Sequence, residues 1–139
     1  MNSSAQATRP SLADVALRVA LVGLTVATAY IHATLGGLMF LANGAGFATL
    51  AVTMLVPVGL AVRYRGLIQV ALGGFAAATI AGWVMFGARY STGYIATGIE
   101  IAIVAIVAIA TYRAYGSPVA IVRSLVDRVS GPSNAGVAA

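Results

Sequence analysis

Two ionisable side chains, His32 and Glu100, stand inside otherwise apolar runs, and they are the chain's single histidine and single glutamate. Asn43 adds an amide within another apolar run, and Trp83 is the single tryptophan. An ionisable group in hydrocarbon costs roughly 2.5–3.5 kcal/mol on insertion scales, so such groups are rare unless paired or useful. An imidazole and a carboxyl brought together can relay a proton and titrate as one unit. They can also hold one small polar head, such as a quinone ring, or one metal ion. As a closed metal site the set is poor, because it offers one imidazole and one carboxylate where structural zinc takes four ligands. Haem on His32 would have one axial ligand, or two across a dimer.

Each residue also has a plainer reading. Glu100 can be a carboxyl hydrogen-bonded to its neighbours and kept neutral by desolvation. His32 can pair helices near a surface, Asn43 can bridge helices by hydrogen bonding, and Trp83 can anchor an interface. Both sets of readings stay open from sequence. The ligand or proton-handling candidates are therefore His32, Asn43, Trp83 and Glu100. No catalytic residue and no metal site are assigned, and no cofactor is specified. With no cysteine in the chain, disulfides, thiolate metal sites and cysteine nucleophiles are excluded. No Gly-rich loop follows a strand, so a phosphate cradle is not indicated. No Ser-His-Asp set shares a common depth. The balance is against an enzyme.

The elements that must position these residues follow from composition. The 139 residues are 60% hydrophobic and 8% charged, whereas soluble domains run near a quarter charged. Such a chain cannot cover a water-facing surface, so lipid is the expected solvent. Four apolar spans are read at about 12–35, 38–62, 67–87 and 93–112, within a transmembrane domain of residues 11–113. Each has the ~20 residues needed to cross ~30 Å of hydrocarbon at 1.5 Å per residue. Ser11 and Asp14 mark the first helix start. Gly36-Gly37 breaks the chain after it, and Pro57 is read as a kink in the second span. The hairpins have room only for turns, so the fold class is all-α: a four-helix transmembrane bundle, up-down-up-down.

This topology puts the candidates in one layer. His32 lies about one turn from the end of the first span, Asn43 about five residues into the second, and Glu100 about seven into the fourth. Trp83, late in the third, reaches the same level. Facing agrees: Arg18, Thr25 and His32 are seven apart with Thr28 beside them, and Gly93, Thr97, Glu100 and Val104 form a stripe. Asn43, Gly46, Leu50 and Pro57 do the same in the second span.

Orientation comes from the arginines, which make up all eight basic residues of a chain with net charge +5. Arg9, Arg18, Arg63, Arg65, Arg113, Arg123 and Arg128 fall on one side and Arg89 on the other, so that bias makes the first side, with both termini, cytoplasmic in a multi-pass cell-membrane protein. This spread is not a folded basic face, so a nucleic-acid partner is rejected. A cleaved signal peptide is the rival reading of the first span, but the apolar stretch is longer than a signal core. Residues 1–10 are expected to be disordered and 131–139 a flexible tail. Residues 114–130 read as a short amphipathic interfacial helix capped by Ser117-Pro118, with Val119, Val122, Leu125, Val126 and Val129 on one face.

The run Tyr30-Ile31-His32, Gly36 to Asn43 and Gly46-Phe47, with Gly93-Tyr94 and Ile99-Glu100, resembles small four-span membrane proteins of high-GC bacteria. More loosely it is similar to the four-helix DoxX-like proteins, which are associated with redox partners. The resemblance covers about residues 12–112 and implies the fold but no assigned activity. Three functions are weighed. The first is an accessory or assembly component, alone with the lipid bilayer, as a homo-oligomer or with other membrane subunits. The second is a binding or redox-associated module built on His32 and Glu100. The third is a small transporter, for which no broken pair of spans or inverted repeat speaks.

Overall fold

The structure, a computed structural model, describes residues 11–57, 59, 63–117, 119–120, 123–124 and 126–127. Four long helices occupy them: α1 (Leu12–Leu35), α2 (Leu38–Leu55), α3 (Arg65–Phe86) and α4 (Ser91–Tyr115). All four are long and apolar enough to cross a membrane. The protein is an all-α four-helix bundle.

Local chemistry sets the helix ends. Ser11 Oγ accepts the Asp14 N–H while the Asp14 carboxylate takes the Ser11 N–H, a reciprocal cap at the start of α1. Gly36 and Gly37 follow at φ 72° and 85°, a pair of positive-φ residues that reverses the chain in two residues. Gly116, at φ 74° and ψ −25°, closes α4 in the left-handed helical conformation.

The expected second span of 38–62, kinked at Pro57, is interrupted at that proline. Helix α2 ends at Leu55, and Val56 is extended at φ −70°, ψ 121°. A proline disfavours helical geometry in the residue before it and brings no N–H, so the helix breaks at Val56–Pro57, and Gly59 and Arg63 beyond the break are again helical. Residues 58 and 60–62 lie outside the described ones. The third and fourth helices begin two residues earlier than expected, at Arg65 and Ser91, and the fourth runs on to Tyr115. The expected amphipathic helix of 114–130 is described only in part. Residues 119–120, 123–124 and 126–127 are helical, and Ser117 Oγ accepts the Ala120 N–H at 3.2 Å, as a cap should. The expectations for 1–10 and 131–139 fall outside the described residues.

Helix α1 packs on α2 and on α4, α3 packs on α4, and α2 packs more lightly on α3. Gly44 makes the α1–α2 contact close: a Cβ there would stand 3.0 Å from Ala29 O and 3.2 Å from Ala33 N. Leu21, Phe47, Leu72, Ala76, Ile103 and Val107 form the core. The polarity is otherwise inverted. Thr25, Thr28, His32, Thr97, Glu100 and Thr111 are buried, whereas Val19, Val26, Leu41, Val52, Ile101 and Ile109 face outward. Water would penalise such a surface at about 25 cal/mol per Å² of apolar area, and lipid would not.

Two ends can be distinguished. Asp14, Arg65 and Arg113 lie at one, here the basic end. The two tight reversals, at 36–37 and 87–90, lie at the other, the hairpin end.

Candidate functional site

Helix α1 presents Leu21, Thr25, Thr28, Ala29 and His32 inward, a stripe at spacings of three and four residues. Helix α4 answers with Gly93, Ala96, Thr97, Glu100, Ile103 and Val107. These two stripes meet, and the meeting point is His32 against Glu100. The histidine is 4% exposed and the glutamate 1%.

The hydrogen bonding orders the pair. His32 Nδ1 is 2.9 Å from Thr28 O, one turn earlier on the same helix. A carbonyl oxygen only accepts, so Nδ1 carries a proton and donates it. That fixes the ring and turns Nε2 towards Glu100 Oε1, 3.6 Å away. The distance is within ion-pair reach and longer than a hydrogen bond. Oε1 instead accepts from Thr28 Oγ1 at 3.2 Å. With Nδ1 committed, Nε2 is the ring nitrogen left to face the carboxyl, and burial disfavours an unpaired charge on either group. Phe40 and Phe47 flank the imidazole, with ring centroids 6.2 and 5.7 Å away. Glu100 Oε2 makes no hydrogen bond to a described residue.

Asn43, on the first turns of α2, is tied to α3: its Oδ1 accepts from Thr79 Oγ1 at 3.3 Å. That hydroxyl also reaches Phe75 O at 3.0 Å, so its one proton is shared between two acceptors. Trp83 sits one turn along α3 from Thr79. Its indole N–H donates to Ala88 O at 3.2 Å, Tyr94 meets its ring edge-on at 4.9 Å, and the Arg89 guanidinium stands 4.4 Å over it. Trp83 is therefore the fastener of the α3–α4 hairpin. Arg89 is held in turn through its bond to Val84 O at 2.8 Å.

All four candidates, His32, Asn43, Trp83 and Glu100, line one cavity of about 440 Å³ at the hairpin end. That volume falls within the usual range for small-molecule sites. Every helix contributes to the wall, and Phe75, Phe40 and Met39 make much of it apolar. The cavity thus has an apolar body and a polar inner wall of imidazole, carboxyl and amide.

Two participants were not read as site residues from sequence. Thr28 stood only as a neighbour on the α1 face, yet it bonds both members of the pair. Thr79 had one available signal, its four-residue spacing from Trp83, but threonines are common in apolar helices and usually bond their own backbone. The sequence places His32 and Glu100 in one layer and leaves their bonding open. The structure sets these groups at ion-pair distance and gives the hydrogen bond to Thr28.

No family model matches the chain, and neither does any curated protein or solved structure.

Proposed function

We propose that the chain is an integral membrane binding module. It takes a lipophilic molecule with a compact polar head into the hairpin-end cavity, where Glu100 and His32 meet the head. The observation that carries this reading is the convergence of His32, Asn43, Trp83 and Glu100 on one largely apolar cavity of about 440 Å³. A quinone-like ring suits such a site, since its oxygens accept hydrogen bonds when oxidised and donate them when reduced. The Glu100–His32 pair can donate a hydrogen bond to the oxidised ring or accept one from the reduced ring. Asn43 keeps its amide N–H groups for a second polar contact, because the bond to Thr79 uses only Oδ1. Membrane residence is supported by four helices of spanning length and apolarity. The arginine bias supports placing the basic end in the cytoplasm, which sets the cavity near the outer face.

One observation favours a second reading, an accessory or assembly component whose polar layer only fixes packing. The polar groups are tied within the chain: Glu100 to Thr28, Asn43 to Thr79 and Trp83 to Ala88. Native mass spectrometry of protein extracted gently from its own membranes separates the two. The binding reading expects an added small-molecule mass on the wild-type chain, lost in Glu100→Leu and His32→Leu. A bare chain, or one carrying only further protein subunits, would reject the binding reading and favour assembly.

A further inference from the structure

A second cleft opens at the basic end, far from the His32–Glu100 cavity. It has a volume of about 370 Å³ and lies among α1, α3 and α4. Asp14, Arg18, Gln69 and Arg113 are its polar lining, and Leu21 and Ile106 are among its apolar residues. From these residues and their bonding we infer that the cleft binds the phosphate of an anionic phospholipid.

The charge balance comes first. Asp14 is committed within the chain: Oδ2 accepts the N–H and O–H of Ser11, and Oδ1 accepts from Arg113 Nη2 at 3.3 Å. Arg113 thereby offsets Asp14, and two guanidiniums less one carboxylate leave the cleft at +1. The excess charge belongs to Arg18, which makes no hydrogen bond or ion pair with any described residue. A phosphodiester is a monoanion and matches it.

Donor supply comes next. A guanidinium has five N–H donors, and Arg113 gives one of them to Asp14. The remainder, with all of Arg18 and the amide of Gln69, are uncommitted among the described residues. Planar guanidiniums match phosphate oxygens in pairs.

Depth decides between a lipid and a soluble anion. Arg18 lies seven residues beyond the Ser11 cap, about 10 Å along the helix at 1.5 Å per residue. In a span this is the boundary between headgroups and hydrocarbon, where a lone guanidinium is costly unless it snorkels or finds a counter-charge. The buried Leu21 lies one turn deeper, and with Ile106 it gives the cleft an apolar lining below the level of Arg18, which suits the start of an acyl chain.

The test is native mass spectrometry of the purified chain in detergent, offered equal amounts of phosphatidylglycerol and phosphatidylcholine, with and without inorganic phosphate. Wild type should retain phosphatidylglycerol in preference. Arg18→Gln should lower that preference about five-fold, the worth of one basic side chain at an anionic surface, and Arg18→Lys should restore part of it. Arg123→Gln removes the same charge outside the cleft and should leave the preference unchanged. Circular dichroism confirms that each variant is folded. Equal retention of the two lipids would overturn the proposal, as would an Arg123→Gln effect equal to that of Arg18→Gln. Displacement of the lipid by millimolar inorganic phosphate would overturn the lipid assignment in favour of a soluble anion.

Discussion

His32 on α1 and Glu100 on α4 face each other across the bundle, Nε2 to Oε1 at 3.6 Å, with Thr28 touching both. The geometry makes the three a coupled unit. Interhelical polar contacts in membrane proteins are worth about 0.6 kcal/mol on average and up to about 1.7 kcal/mol by double-mutant cycles. A cycle of His32→Phe and Glu100→Gln should return a coupling energy in that range. Unfolding in mixed micelles of increasing denaturing-detergent fraction provides the measurement, and strict additivity would show that the pair does not interact.

Thr28 is the hinge of that unit. Thr28→Val keeps the side-chain shape and removes the donor to Glu100 Oε1, so stability should fall by about 1 kcal/mol. Thr28→Ser restores the hydroxyl and should recover most of the loss. The same pair of variants should lower and restore retention of the ligand mass. A Thr28→Val chain as stable as wild type would mean that the hydroxyl contributes nothing.

Close packing at Gly44 sets the angle at which α1 brings His32 inward. Any Cβ there meets backbone atoms of Ala29 and Ala33, which cannot swing aside. Gly44→Ala should therefore destabilise by about 1–3 kcal/mol through overpacking. Gly98 has nothing within 4 Å of its missing Cβ, so Gly98→Ala should be neutral or stabilise by up to about 1 kcal/mol through helix propensity. Detergent unfolding of the two variants side by side checks the contrast.

Trp83 fastens the α3–α4 hairpin over the cavity through Ala88 O, Tyr94 and Arg89. Trp83→Phe loses the N–H bond and part of the cation–π attraction, each worth about 0.5–1.5 kcal/mol. Amide hydrogen exchange over residues 87–90 should speed up in Trp83→Phe while exchange in the α1 core stays unchanged. Equal acceleration in both places would show that Trp83 supports the whole fold.

The lack of cysteine allows the orientation to be tested with single introduced thiols. In intact cells a membrane-impermeant thiol reagent should label Ser91→Cys, at the hairpin end, directly. It should label Ser117→Cys, at the basic end, only after permeabilisation. The reverse pattern would invert the topology.

Composition and periodicity were enough to determine the four-helix architecture, because a chain with so few charges has one solvent it can face and each span must satisfy its own backbone. The depth of His32, Asn43, Trp83 and Glu100 was also legible, since helical rise converts residue number into height. Rotation and distance were not. Whether the α1 stripe meets the α4 stripe depends on which helices pack together, and apolar sequence faces many neighbours equally well. Only the fold decided that Thr28 intervenes between His32 and Glu100, that Thr79 pairs with Asn43, and that Trp83 clasps a hairpin. The ending of α2 at Leu55 is a local matter, written in Pro57 although the apolar run continues past it. The cleft around Arg18 was invisible from sequence for another reason. Arg18 reads alone as a snorkelling side chain, and its cleft exists only once α3 and α4 bring Gln69 and Arg113 beside it.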